Sequence, residues 1–244
     1  MPPRNRDTVY ENLLEELIDF KFDQQVVSVF EDMINRSVPG YATIVHNLQH
    51  FASRFVQDNS NCYDLGCSLG ASTLSMRKGI KHQQVKIIAV DNSQEMIDRA
   101  QGYISNDSET TAVELRTQDI RQTNIENASM VVLNFTLQFL AIEDRTPLLK
   151  TIFSGLNDGG CLILSEKIGF SDPLLEETLT DIHHRFKREQ GYSDLEISQK
   201  REAIENVMKL ETAETHIHRL KDVGFKHVTQ WYQNTAFCSF IAVK

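Results

Sequence analysis

The chain predicts an α/β fold: a doubly wound, mostly parallel sheet with an antiparallel last strand and helical cap elements. Three observations predict it. Strand-like runs rich in β-branched residues alternate with helical segments. The stretch Cys62-Tyr63-Asp64-Leu65-Gly66-Cys67-Ser68-Leu69-Gly70-Ala71-Ser72-Thr73 carries a strand through a glycine turn into a helix. The last two runs, Lys226 to Tyr232 and Phe237 to Val243, read as a hairpin.

In chain order, residues 1–22 are polar and charged with aromatics mixed in, and suggest a loose arm. Asp23 can cap a helix with the stripe Val26, Phe30, Met33 and Ser37. Pro39-Gly40 ends it, and a second helix follows with the stripe Ile44, Leu48, Phe51 and Phe55. Val85 to Asp91 is a strand ending in a carboxylate. Asn92-Ser93-Gln94-Glu95 reads as a capping box for a helix bearing Met96, Ile97, Ala100 and Ile104. Ala112 to Thr117 is a third strand and Met130 to Phe135 a fourth. Thr146 to Leu156 is a helix, and Asn157-Asp158-Gly159-Gly160 turns into the strand Cys161 to Ser165. The whole divides into an arm and cap helices (1–58), a ligand-binding core (59–167), a helical insert (168–210) and a closing helix and hairpin (211–244), read as one domain.

Composition narrows the function. The 244 residues are 41% hydrophobic, enough for a sizeable core. A net charge of −9 and no basic stripe disfavour tight direct nucleic acid binding. Cys62, Cys67, Cys161 and Cys238 show no Cys-x-x-Cys spacing and read as buried reduced thiols, which fits a cytoplasmic protein. No apolar leader or membrane-length run is visible, and no metal-ligand cluster, so no metal is expected.

Glycines at a strand–helix junction let a ligand approach the backbone, and the helix start offers unpaired N–H groups. A dinucleotide fingerprint would need glycine at 68, where Ser68 stands. Asp91, at the end of the second strand, either accepts hydrogen bonds from ribose hydroxyls or only caps the next helix. Gly66, Asp91, Asp119 and Asn134 all fall at carboxyl ends of strands, where such sheets bind ligands. That constellation resembles the seven-stranded, Rossmann-like class I methyltransferase fold, which binds S-adenosyl-L-methionine (SAM). The resemblance implies that Asp91 binds the ribose, that Asp119 and Ile120 hold the adenine, and that Gly66, Cys67 and Ser68 pass under the methionine part.

The insert holds two helices. Asp172-Pro173 starts one with the stripe Leu175, Leu179, Ile182 and Phe186; His183 and His184 read as surface and packing residues. Ser193-Asp194-Leu195-Glu196 is a capping box for the next, whose apolar face reads Ile197, Arg201, Ile204, Met208. An arginine inside that stripe requires an anion, a structural carboxylate, or an escape to solvent.

Four segments resemble the carboxy-S-adenosyl-L-methionine (carboxy-SAM) synthase family: residues 30–41, Asp64 to Ser68, Asn134-Phe135-Thr136-Leu137-Gln138-Phe139 and Ser198-Gln199-Lys200-Arg201-Glu202. The resemblance implies conversion of SAM and prephenate into carboxy-SAM and phenylpyruvate. A partner enzyme then uses carboxy-SAM on the wobble uridine of tRNA. Prephenate would supply both CO2 and the base, so no catalytic base is required of the protein. By the same resemblance Tyr41, Gly66 to Ser68, Asp91, Asn92, Asp119, Ile120, Asn134 and Arg201 contact the SAM-derived ligand. Arg201 is implied to pair with the added carboxylate as the catalytic residue, in its own subunit or in a neighbour's within a homodimer. An ordinary SAM-dependent methyltransferase and a non-catalytic SAM-binding protein are the rival readings.

Overall fold

A computed structural model describes residues 6–12, 24–205 and 207–244. The Asp23 cap lies outside them, as does most of the arm. Residues 6–12 are not loose. Asp7 and Tyr10 are buried, the Asp7 amide donates to Asp32 Oδ2 at 2.8 Å, and Gln199 Nε2 donates to the carbonyls of Tyr10 and Asn12.

Helices α1 (Gln24–Ser37) and α2 (Tyr41–Phe55) precede the sheet. Strands β1 (Asn61–Leu65), β2 (Lys86–Asp91), β3 (Ala112–Thr117), β4 (Ala128–Asn134), β5 (Leu156–Lys167), β6 (His227–Asn234) and β7 (Phe237–Val243) form one sheet. Its order is β3-β2-β1-β4-β5-β7-β6. The first five strands run parallel and β7 is antiparallel to both neighbours, as the hairpin reading requires. β5 begins at Leu156, so the expected Asn157–Gly160 turn is absorbed as an irregularity in its pairing with β4.

Burial explains the layers. β4 is buried on both faces except at its last residue, which is why its sequence is a continuous apolar run. One face packs Leu48 and Ala52 of α2 and Met76 of α3 (Ala71–Gly79) against Cys62, Ile87 and Met130. α4 (Gln94–Ser105) adds Ile97 against Ala89. The other face packs Leu148, Leu149 and Ile152 of α5 (Ile142–Gly155) and Leu220 of α8 (Ala213–Val223) against Val131, Leu133 and Phe240. α5 starts before the expected Thr146; Glu143 and Asp144 suit a first turn, where the helix end is electropositive.

The insert forms α6 (Pro173–Glu189) and α7 (Asp194–Glu205). Asp172 caps α6 by accepting from the Leu174 and Leu175 amides. The expected capping box is present at α7: Ser193 Oγ accepts from the Glu196 amide at 3.2 Å, and Glu196 Oε2 accepts from the Ser193 amide at 2.7 Å. The expected inner faces are present only in part. In α6 the buried positions are His183 and Lys187, while of the apolar stripe Leu175 and Ile182 are exposed and Leu179 and Phe186 half-buried. In α7 Ile197 is buried and Ile204 packs against the cluster of Val26 and Met33, as expected, but Lys200 faces in and Arg201 faces out, so the buried cation is one residue earlier than the spacing suggested.

A fully buried arginine closes the edge nearest the cavity. Arg145 donates to the carbonyls of Gln138, Leu140 and Lys209 and pairs with Glu211, which Arg219 also holds. It joins the turn after β4 to the segment entering α8. Removing the guanidinium takes that donor from the three carbonyls while Glu211 keeps Arg219, and a buried carbonyl left unmet costs about 1–3 kcal/mol. We therefore expect Arg145→Ala to lose about that much unfolding free energy in denaturant titration, with Arg145→Lys intermediate.

Candidate functional site

β1 and β4 lie side by side, and the chain leaves them in opposite directions across the sheet, toward β2 and toward β5. Such a switch point opens a crevice at the carboxyl ends of the strands. A cavity of about 390 Å³ occupies it, within the usual range for a small-molecule site.

The glycine turn forms its floor. After Leu65 the amides of Gly66 and Cys67 both donate to the Val90 carbonyl, at 2.8 and 2.9 Å. Gly66 has φ 82° and the Thr136 side chain lies where a Cβ would stand. Ser68, the departure from glycine, still adopts a left-handed φ of 47°. That backbone costs a non-glycine residue of order 1 kcal/mol, and a specific bond offsets it. The Ser68 amide donates to Asp91 Oδ2 at 2.8 Å. Asp91 Oδ1 accepts from the Ser93 amide at 3.0 Å. The cap of α4 is Ser93, whose hydroxyl accepts from Met96, so Asp91 is not itself the N-cap. Burial pushes the Asp91 carboxyl above its ordinary range while the backbone donors pull it back. The carboxylate keeps acceptor capacity for a ligand.

The other predicted residues surround the same space. Asp119 caps a short 3-10 turn (Ile120–Gln122) and is held low by the Arg121 guanidinium, which also reaches Asp144. Ile120 is buried beside it. Asn134 Nδ2 donates to Ser72 Oγ at 3.3 Å, and its buried Oδ1 has no hydrogen-bond partner among the described residues. A buried orphan acceptor is costly, which points to a donor group on a ligand. Tyr41, with its ring against Phe135, closes the side. Tyr41, Gly66, Cys67, Ser68, Asp91, Asn92, Asp119, Ile120 and Asn134 thus line one cavity; Arg201 does not. Arg201 lies outside it, beside Glu176, Glu177, Asp181 and His184 in a shallow recess against α6. The sequence argument for a buried guanidinium therefore fails, and the carboxylate pairing assigned to Arg201 is not available within its own chain's cavity.

Sequence reasoning missed the opposite end. Lys167, His183, Lys187 and Lys200 line it together with Phe30, Met33 and Phe237. His183 Nε2–H donates to the Ser37 carbonyl at 2.8 Å, and its ring meets Phe237 edge-on at 5.0 Å. Burial, with Lys187 next, pushes its pKa down to about 3. The only sequence signal was the i,i+4 pair His183 and Lys187, about a quarter-turn round the helix from the stripe that was read as the inner face. The Cys67 thiol is raised well above its usual value by burial, which leaves it protonated and a poor nucleophile.

Relatives fit this geometry. A methyltransferase domain model matches residues 63–160. The carboxy-SAM synthase of Mannheimia succiniciproducens is 54% identical, covering 98% of this chain and 100% of its own. That of Shewanella sediminis is 53% identical, covering 98% and 99%. The chain belongs to the carboxy-SAM synthase family. A SAM-dependent methyltransferase from Methanosarcina mazei, 17% identical, shares the fold with a TM-score of 0.58 over 80% of this chain and 96% of its own. The synthase family thus has a class I methyltransferase fold, here with both ends of the cavity charged.

His183 gives a pH dependence. It is neutral when folded, with a pKa of about 3 against 6.5 when unfolded. In that window the unfolded chain binds the extra proton, so stability falls as pH drops from about 6.5 toward 3. His216, lowered to about 4, acts the same way. Denaturant unfolding at pH 7.5 and pH 4.5 should show a smaller loss for His183→Gln than for the parent. An equal loss removes His183 as a source.

Proposed function

We propose that the chain is a carboxy-SAM synthase that consumes SAM and prephenate and releases carboxy-SAM, phenylpyruvate and water. Full-length identity to curated synthases carries this reading, and a cavity with carboxylates at one end and ammonium groups at the other supports it. Asp91 takes the ribose hydroxyls and Asp119 with Ile120 the adenine. Gly66, Cys67 and Ser68 underlie the methionine part, Asn134 Oδ1 accepts from a ligand donor, and Tyr41 and Asn92 complete the contacts.

The reaction balances without a protein base. Prephenate gives up CO2 and its ring hydroxyl, as hydroxide, to become phenylpyruvate. Hydroxide takes a proton from the sulfonium methyl and leaves as water, and that carbon bonds to CO2. A dianion and a cation enter; a monoanion and a species of no net charge leave, with water. The protein positions both partners and keeps water from competing for CO2 and hydroxide. Phe30, Met33, Phe135 and Phe237 supply the apolar wall.

The finer parts of the reading concern partners. Exposed Leu174, Leu175 and Ile182 on α6 support a homodimer, in which the outward-facing Arg201 reaches the neighbour's cavity. Four buried, unpaired cysteines support a reducing cytoplasm. A charge of −9 supports release of carboxy-SAM to a tRNA carboxymethyltransferase rather than a grip on tRNA by this chain.

Mass analysis of the nucleoside formed from SAM and prephenate tests the reading. Carboxy-SAM is expected; unchanged SAM or S-adenosylhomocysteine contradicts it. Calorimetry should show Asp91→Ala weakening SAM about 10- to 100-fold. Arg201→Ala should lose carboxy-SAM about 30-fold more than SAM, the value of one desolvated charge pair. Equal loss of both ligands makes Arg201 a general support of the site.

A further inference from the structure

The three lysines at the far end of the cavity have no assigned role. They arrive from three elements: Lys167 from the end of β5, Lys187 from α6 and Lys200 from α7. Lys200 is buried and held, with Nζ 2.9 Å from Ser37 Oγ and 3.5 Å from Asp7 Oδ2. Lys187 is equally buried, yet makes no ion pair or side-chain hydrogen bond with any described residue. Burial first, then repulsion from Lys200 and Lys167, pushes it down to about 7. His183 beside it stays neutral and offers no counter-charge. Asp7 offsets the charge of Lys200.

A buried cation without a partner is costly, and an apolar side chain of similar size would pack there at less expense. A ligand that brings the missing anion removes the penalty. We propose that Lys187, with Lys167 and Lys200, is the subsite for the carboxylate of a 2-oxo acid: the side-chain carboxylate of prephenate that survives into phenylpyruvate. This rests on the synthase reading. The choice between the two carboxylates of prephenate follows from chemistry. An ammonium bound to a carboxylate stabilises it against losing CO2. The carboxylate that must leave therefore belongs away from the lysines, in the apolar middle of the cavity toward the sulfonium. Holding the other one at the lysine end points the ring that way.

The test uses the full-length protein carrying Lys187→Met or Lys187→Gln, with Lys167→Gln as a second variant at a less buried position. Prephenate KM and the inhibition constant of phenylpyruvate should rise together, by about 10- to 100-fold for a lost charge-assisted contact. SAM affinity should stay within about 2-fold, and the melting temperature of Lys187→Met should be unchanged or higher. Lys187→Arg should recover part of the loss. A folded Lys187→Met with parental prephenate KM and phenylpyruvate inhibition overturns the subsite. So does a parallel loss of SAM affinity, which makes Lys187 a support of the whole site. Failure of the synthase reading looks different: the parent itself then forms no carboxy-SAM. Calorimetry with phenylpyruvate alone still decides the cluster in that case. Binding by the parent that is lost in the variants supports it, and no binding by the parent overturns it.

Discussion

The hydrogen bond from the Ser68 amide to the Asp91 carboxylate is the constraint on which the site depends. It ties the end of β2 to the turn that leaves β1, and so fixes the gap between two parallel strands. It also holds a serine in a backbone region that favours glycine. Asp91 is buried, accepts from backbone amides and lines the cavity with the acceptor capacity that is left. The carboxylate is thus at once a structural peg and a preorganised acceptor. A ligand meets it without reorganisation cost.

The fold was legible because burial wrote itself into the sequence. β4 lies between two helical layers and reads as an unbroken apolar run; the hairpin of β6 and β7 reads from its turn. The carboxylate half of the site was legible too, since position at a strand's carboxyl end is a matter of topology. Those residues meet in space because parallel strands end on one edge.

The lysine half was not legible, for a physical reason. Periodicity assigns a helix face by counting apolar residues, and α6 violates that rule. Leu174, Leu175 and Ile182 face outward while His183 and Lys187 face inward. In α7 the isoleucines of the stripe do face inward, but Lys200 rather than Arg201 takes the inner position for a cation. Such inversions occur where an element serves a ligand on one side and has an apolar surface to offer on the other. Only the packed structure shows that three lysines from distant segments share one space.

The charge separation across the cavity follows from these two halves. A cationic sulfonium suits the neighbourhood of Asp91, since Asp119 is already paired with Arg121, and an anion suits the end with Lys167, Lys187 and Lys200. Opposite charges at opposite ends orient two substrates toward one another before any bond changes. A crystal structure with SAM and phenylpyruvate bound together would test this most directly. The ribose should lie on Asp91 and the phenylpyruvate carboxylate within about 4 Å of Lys187 Nζ, the reach of an ion pair. A phenylpyruvate carboxylate held away from the lysines, or an adenosyl group at the lysine end, would contradict it.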